Sequence, residues 1–147
     1  MEIIYFDVSH ATRAHDYIIE TTGGLAGFKS PGNLDSLLYF ISHDLYYPTF
    51  EEKVSHLFFG LTKFHIFNDG NKRSAISLSI YFLNINGYDY CTSNFIEVME
   101  NYVVWVADNK IGKELLLEII TSLINDVSLS NSIKLKVINA LNDDQEK

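Results

Sequence analysis

Cysteine, proline and arginine are scarce in this chain of 147 residues, which contains one cysteine, two prolines and two arginines. A single cysteine, Cys91, cannot form an intrachain disulfide, which is typical of proteins from a reducing compartment. No segment reaches the about 18 consecutive apolar residues that a membrane-spanning helix needs. The first ten residues also lack the charged start and the apolar stretch of a secretory signal. These absences favour a cytoplasmic protein without a membrane segment.

Positive charge is also limited, since 11 Lys and Arg stand against 19 Asp and Glu, for a formal net charge of −8. Binding to nucleic acid without sequence preference needs a basic surface, because phosphate contacts dominate the affinity. We therefore expect no nucleic-acid partner. A small anionic ligand in one local pocket remains compatible with this charge. Only Arg13 and Arg73 can supply the bidentate guanidinium contact that suits phosphate.

The composition is otherwise that of a globular protein, with 47% hydrophobic and 14% aromatic residues. A chain of this length normally forms one domain whose core needs no disulfide or metal. Apolar residues recur at helical spacing and no segment alternates as a strand does, which predicts an all-α fold. The predicted helices cover about residues 8–22, 31–42, 49–64, 71–86, 92–108, 113–125 and 130–141.

Local signals support several of these boundaries. Asp7 or Ser9 can cap the first helix, and Thr49 with Glu52 forms a capping box at the start of the third. Residues 43–48, HDLYYP, form either a flap with a β-hairpin or a loop.

The sequence predicts which helix lies at the centre of the fold and which segment extends beyond its core. The helix over residues 71–86 is nonpolar almost all round and should lie at the centre of the fold. We interpret residues 1–147 as a single domain with a core of about residues 8–126. Residues 127–147 then form an extension, a packing helix followed by an end that frays from Asn142.

Residues 63–75, KFHIFNDGNKRSA, are unusual for a simple helix junction. A predicted helix ends near His65, a short turn contains Asp69, and the next helix begins with Lys72 and Arg73. Cationic side chains at a helix N-terminus oppose its dipole and cost about 0.3–1 kcal/mol each. A sequence selected only for folding would carry Asp or Glu there. The two cations therefore indicate a site for an anion.

The residue types of this segment fit the transfer of a phosphoryl or nucleotidyl group. His65 can accept a proton from an attacking hydroxyl, because histidine titrates near neutral pH. Asp69 is a hard oxygen ligand suited to Mg²⁺. Phosphate would be bound at the turn and the helix start, by Gly70, Asn71, Lys72 and Arg73. The spacing excludes a Walker P-loop, which needs Gly-Lys-Ser/Thr after a strand.

The nine residues 65–73, HIFNDGNKR, resemble the signature of the Fic/Doc family, His-x-Phe-x-Asp/Glu-Gly-Asn-Gly/Lys-Arg. With Lys72 the motif resembles that of the death-on-curing (Doc) toxins, which carry Lys at this position, whereas Fic adenylyltransferases carry a second Gly there. Ile76, where adenylyltransferases usually have another Arg, also agrees with the Doc subgroup, whereas Gly70 follows the Fic pattern. The likeness covers most of residues 8–126.

The resemblance implies a compact helical Fic fold with a flap over the active-site groove. It implies that His65 is the catalytic base, that Asp69 binds or orients Mg²⁺ and that Phe67 anchors the loop in the core. The residues implied to bind the phosphates of ATP are Gly70, Asn71, Lys72 and Arg73.

The resemblance also implies a function and its partners. Doc toxins transfer the γ-phosphate of ATP to a hydroxyl of elongation factor Tu and halt translation. An antitoxin of the prevents-host-death type neutralises them by adding a helix to the groove. Our first hypothesis is therefore a Doc-like kinase toxin that uses ATP and Mg²⁺ on a Ser or Thr hydroxyl of a protein target. The alternatives are a Fic-type adenylyltransferase and a non-catalytic module that binds a partner helix or peptide.

Side chains outside the motif carry weaker signals. His10, His15, His43 and His56 lack metal-ligand spacing, and we interpret them as surface or core residues. Tyr46 and Tyr47 either pair with a substrate backbone, as flap residues, or pack inward as loop aromatics.

Overall fold

The computed structural model describes residues 2–143. The fraying expected from Asn142 does not hold for Asn142 and Asp143, which are the last residues of a helix, and residues 144–147 lie outside the described residues. Within residues 2–143 seven α-helices follow one another along the chain. They are α1 (Val8–Thr22), α2 (Pro31–Ile41), α3 (Phe50–Lys63), α4 (Asn71–Ile85), α5 (Thr92–Ala107), α6 (Lys113–Asp126) and α7 (Asn131–Asp143). A 3₁₀ turn, Asp89–Cys91, precedes α5. The described residues contain no strand, which confirms the predicted all-α fold.

Side-chain caps begin two of these helices where the sequence predicts them. Asp7 accepts a hydrogen bond from the N–H of His10 at 2.8 Å, and Thr49 accepts one from the N–H of Glu52 at 3.1 Å. Such caps satisfy first-turn N–H groups that have no acceptor within the helix. At the other end of α1, Gly23 has a φ of 88°, which ends the helix as predicted.

The helix α4 lies at the centre of the bundle and packs against α1, α3 and α5. Its buried face carries Ala75, Leu78, Phe82 and Leu83. The expectation of an apolar surface almost all round needs correction, because the opposite side of α4, at Ser77, Tyr81 and Asn84, is exposed. On that side α1 and α5 do not meet over α4, and a groove of about 640 Å³ lies between the three helices.

Residues 43–48 form turns, so the loop alternative is correct and no β-hairpin is present there. The ammonium group of Lys53, 1% exposed, donates to the carbonyl of Ile41 at 3.0 Å and to the carboxylate of Asp44 at 2.8 Å. A buried charge is tolerated when it is paired and hydrogen-bonded in this way. Lys53 therefore connects the loop to α2 and α3.

At the C-terminal end, α7 packs against α6. Val137 is the residue of α7 that is buried, and Lys136 forms a surface ion pair with Glu118 at 2.6 Å. None of the helices in the described part of the chain is long and apolar enough to cross a membrane.

Candidate active site

His65 lies in the short connection between α3 and α4, with a backbone conformation that is uncommon for a residue with a side chain. The helix α3 ends at Lys63, and His65 has a φ of 52°, in the left-handed region. Ile66 and Phe67 follow and are buried, whereas His65 is exposed. The turn thus anchors the two apolar residues in the core while it leaves the imidazole accessible. Strained backbone of this kind is concentrated at functional sites.

The connection is held in place by the loop between α1 and α2. The N–H of Lys29 donates to the carbonyl of Ile66 at 2.9 Å, and the N–H of Asn68 donates to the carbonyl of Gly27 at 3.0 Å. The Asn68 side chain adds a bond to the carbonyl of Ala26 at 3.0 Å. Two loops that are distant in sequence therefore run antiparallel and support each other without forming a regular strand.

Phe67 is 1% exposed and stacks between two rings. The imidazole of His15 lies 3.7 Å from it, centroid to centroid and nearly parallel, and the ring of Phe28 lies 5.2 Å away. His15 is a buried core residue, in line with its interpretation from the sequence, but its Nε2 also lies 2.6 Å from the carbonyl oxygen of Asp69. That second contact brings α1 into the site.

The carboxylate of Asp69 is held by two backbone N–H groups. Oδ1 accepts from Gly70 at 2.7 Å, Oδ2 accepts from Leu25 at 3.2 Å, and Nη2 of Arg73 lies 3.6 Å from Oδ1. The two N–H groups, from Leu25 and then Gly70, lower the pKa of Asp69 below its usual value, and Arg73 adds to the effect. Asp69 is therefore ionised at neutral pH while remaining partly exposed to the cavity.

The side-chain amide of Asn71 is used to close the loop. Its Oδ1 accepts from the N–H of Phe67 at 3.1 Å, and its Nδ2 donates to the carbonyl of Phe67 at 3.0 Å. The side-chain amide of Asn71 is therefore already bonded within the loop. A phosphate would contact Asn71 through its backbone N–H, one of the first-turn donors of α4.

The two cations at the start of α4 are in different situations. The guanidinium of Arg73 donates to the hydroxyl of Thr22 and to the carbonyl of Gly23, the latter at 2.9 Å, so it is tied to the end of α1. Lys72 is exposed and has no ion-pair partner within residues 2–143. Lys72 is the cation that can reach an incoming anion without breaking an existing contact.

A polar cavity of about 570 Å³ brings together the six residues that the sequence singles out. We call it the phosphate cavity, and its lining consists of Thr62, Lys63, His65, Asn68, Asp69, Gly70, Asn71, Lys72, Arg73, Ala107 and Asp108. The ammonium group of Lys63 is already hydrogen-bonded within the protein, since it donates to the carbonyl of Ala107 at 3.1 Å and to the Asn109 side chain.

A second cavity of about 580 Å³ lies on another side of the same histidine. We call it the aromatic cleft, and it is lined by Asn33, Ser36, Leu37, Phe40, Tyr46, Tyr47, His56, Phe64 and His65. This lining contains no Asp, Glu, Lys or Arg, in contrast to the phosphate cavity. His65 thus stands between a charged site and a largely apolar one.

The donor set suits a metal ion that is shared with a ligand. No group of three His, Cys, Asp or Glu side chains among residues 2–143 could hold a metal by itself. Mg²⁺ is commonly held by one or two carboxylates together with substrate phosphates. The ionised carboxylate of Asp69, facing a cavity that also contains Lys72, fits that second mode.

One contribution to the site was missed by reading the sequence. Gly23-Gly24 marks the end of a helix, but Gly24 also has a φ of 122° and lies against the site. A Cβ at Gly24 would come within 2.6 Å of Asp69 Oδ2 and 3.1 Å of Arg73 Nη2. No sequence signal distinguishes this close approach from an ordinary helix stop.

Comparison with known proteins agrees with the motif. The model of the Fic/DOC family matches residues 5–83, which include the whole segment 65–73. The chain is 34% identical over 77 residues to Protein kinase doc of Escherichia phage P1, and the alignment covers 50% of this chain. It covers 60% of that relative's length.

Proposed function

This chain belongs to the Fic/DOC family, as its motif predicts, and from that premise we propose that it transfers the γ-phosphate of ATP to a Ser or Thr hydroxyl of a protein target. The observation that carries the proposal is the position of His65 at the border of the phosphate cavity and the aromatic cleft. The similarity to a protein named a protein kinase supports the choice of reaction.

In the proposed reaction His65 accepts the proton of the target hydroxyl. The hydroxyl oxygen then forms a bond to the γ-phosphorus, the bond to the bridging β,γ-oxygen breaks, and ADP leaves. Lys72 and the first-turn N–H groups of α4 neutralise the phosphate charge. Asp69 would hold Mg²⁺, which supplies further charge neutralisation when it is bound.

The two cavities favour a direction for the transfer. The attacking and leaving oxygens of a phosphoryl transfer stand roughly in line. With the phosphates among the charges of the phosphate cavity, the target approaches from the other side of His65. We propose that the aromatic cleft receives an uncharged part of the target next to its hydroxyl, since the cleft lining carries no fixed charge.

Adenylyl transfer remains the second candidate, because Gly70 follows the Fic pattern. Gly70 has a φ of 78°, a left-handed conformation that favours glycine. The same base and phosphate-binding groups would then act at the α-phosphorus, with pyrophosphate leaving.

We also propose an antitoxin as a partner and the cytoplasm as the location. The groove between α1, α4 and α5 is mainly apolar, with Ile76, Ile80 and Val103 in its wall and Lys72 and Arg73 at one end. It suits an amphipathic helix that carries an acidic side chain near the cations. Such a helix would cover Lys72 and compete with ATP.

The deciding experiment uses elongation factor Tu as the probe target and ATP labelled at either the α- or the γ-phosphate. We expect label on the target from γ-labelled ATP only. Label from α-labelled ATP only would contradict the kinase proposal and favour adenylyl transfer.

The variant His65→Ala separates catalysis from binding. Loss of a general base typically costs about 10²–10⁴-fold in rate, and we expect a loss in that range. His43→Ala is the matched control, because His43 is exposed and lines none of the three cavities. If His65→Ala, folded by circular dichroism, retained full labelling, His65 would not be the base. If it lost labelling but kept its cellular toxicity and partner binding, a non-catalytic binding module would be the better description.

A further inference from the structure

We infer that His15 is a positioning residue that sets the orientation of the Asp69 carboxylate, an inference that rests on the proposed function. His15 lies on α1, 54 residues before Asp69 in the chain, and it is 1% exposed. It does not line the phosphate cavity, so it acts through the loop and not on the phosphate itself.

The contact passes through one peptide plane. Nε2 of His15 lies 2.6 Å from the carbonyl oxygen of Asp69, and a carbonyl only accepts, so Nε2 is the donor and carries the proton. That carbonyl belongs to the same planar peptide as the N–H of Gly70. The Gly70 N–H donates to Oδ1 of Asp69 at 2.7 Å. Fixing the carbonyl therefore fixes the direction of the N–H that holds the carboxylate.

The imidazole is held rigidly enough to serve as such a reference. Its ring lies 3.7 Å from that of Phe67 with an interplanar angle of 3°. Phe67 is itself buried and bonded through its backbone to Asn71. The stack fixes the plane of the imidazole, and the bond from Nε2 to the Asp69 carbonyl selects which edge of the ring faces the loop.

The other nitrogen of the ring shows that packing alone does not explain a histidine here. Nδ1 of His15 is buried and has no hydrogen-bond partner among the described residues, and the nearest charged group, Oδ1 of Asp16, lies 3.6 Å away, beyond hydrogen-bond distance. Burial of an unpaired polar atom lowers stability, and a residue selected only to fill the core would be apolar. The bond from Nε2 to the Asp69 carbonyl is the gain that offsets this cost.

Two substitutions separate positioning from packing. In His15→Gln the amide nitrogen can reach the Asp69 carbonyl, whereas His15→Met fills similar space without a donor. We expect His15→Met to weaken the binding of Mg²⁺–ADP, measured by calorimetry, by about 10-fold or more, as is usual when a group that orients a metal ligand is removed. We expect His15→Gln to stay within about 3-fold of the wild type, as a rescue by the retained donor.

Substitutions of His10, another histidine of α1, serve as controls. His10→Gln and His10→Met alter a histidine on the same helix that stacks on Tyr81 and lines none of the three cavities, and neither should change the affinity. Equal weakening by His15→Gln and His15→Met would show that His15 only packs, and no weakening by either would overturn the inference outright.

A second measurement does not depend on the variants folding. Nitrogen NMR of the wild-type protein should show His15 protonated at Nε2, with slow exchange of that proton, and protonation at Nδ1 alone would contradict the contact. Because neither readout requires phosphate transfer, a failure of the labelling experiment would leave this inference standing.

Discussion

Single buried side chains contribute to this site beyond the nine-residue motif, and His56 is a clear case. It is 7% exposed, stacks on Tyr47 at a centroid distance of 4.1 Å and lines the aromatic cleft. Burial, with the nearby charge of Lys113, lowers the pKa of His56 from 6.5 to about 4. His56 is therefore neutral at neutral pH and keeps the wall of the cleft uncharged. Lys113 also donates to the hydroxyl of Tyr47 at 3.2 Å, and Tyr47 is half-buried whereas Tyr46 is exposed.

This pKa predicts a pH dependence of stability. Between pH 6.5 and 4 the unfolded chain binds a proton at His56 that the folded protein rejects. Stability from this group is complete above pH 6.5 and is lost as the pH falls, by about 2 kcal/mol at pH 5. His56→Phe should remove that part of the slope in urea titrations at several pH values. His43→Phe is the control, and an unchanged slope in His56→Phe would contradict the assignment.

At the scale of helices, local capping signals decide where α3 and α4 begin and therefore which candidate site residues lie at their ends. The cap at Thr49 starts α3, whose other end carries His65 into the site. At α4 the N-cap is Gly70, which makes no side-chain cap, so the first-turn N–H groups stay open. The start of α3 is thus capped by a side chain, whereas the start of α4 has no side-chain cap.

The cap at Thr49 can be tested directly. Thr49→Ala leaves the N–H of Glu52 without its acceptor, and loss of such a cap typically costs about 1 kcal/mol. We expect that decrease in the free energy of unfolding from denaturant titration, with the slope of the transition unchanged. Thr49→Ser keeps the hydroxyl and should retain most of the stability. A loss in Ser equal to that in Ala would point to the threonine methyl group instead of the cap.

On the scale of the whole molecule, the bundle places two unlike cavities on either side of one histidine. The phosphate cavity is built from the end of α3, the α3–α4 connection, the start of α4 and the end of α5. The aromatic cleft is built from α2, α3, the loop between them and the α3–α4 connection. Neither cavity exists within one element. The separation of charged from apolar lining is therefore a property of the packed helices.

The proposed roles of the two cavities predict separate effects on the two substrates. Ser36 is exposed on α2 and lines the aromatic cleft, so Ser36→Trp should fill the cleft and raise the KM for the protein target at least about 10-fold, on the scale of 1.4 kcal/mol per decade. The affinity for Mg²⁺–ADP should be unchanged. Asp35→Trp, on the same helix and outside the cleft, is the matched control. A loss of ADP affinity in Ser36→Trp would place the nucleotide in the cleft and contradict this division.

The sequence by itself determined the helical class, most helix boundaries and six of the residues that line the phosphate cavity. Those features depend on short-range causes, since caps, apolar periodicity and the motif each involve residues within one or two turns of one another. The motif is also a continuous segment, so the chain itself brings His65, Asp69 and Lys72 near each other.

Only the tertiary structure decided how these residues are held and what surrounds them. His15 reaches Asp69 across 54 positions, and Arg73 reaches Thr22 across 51, so no local pattern announces either contact. The loop at residues 43–48 was undecided from sequence because its aromatic residues suit a strand or a packed turn. In the structure the loop is held as a packed turn by Lys53, which is buried on α3 and bonds to Asp44. Contacts between distant segments arise from packing, and packing is set by the whole chain.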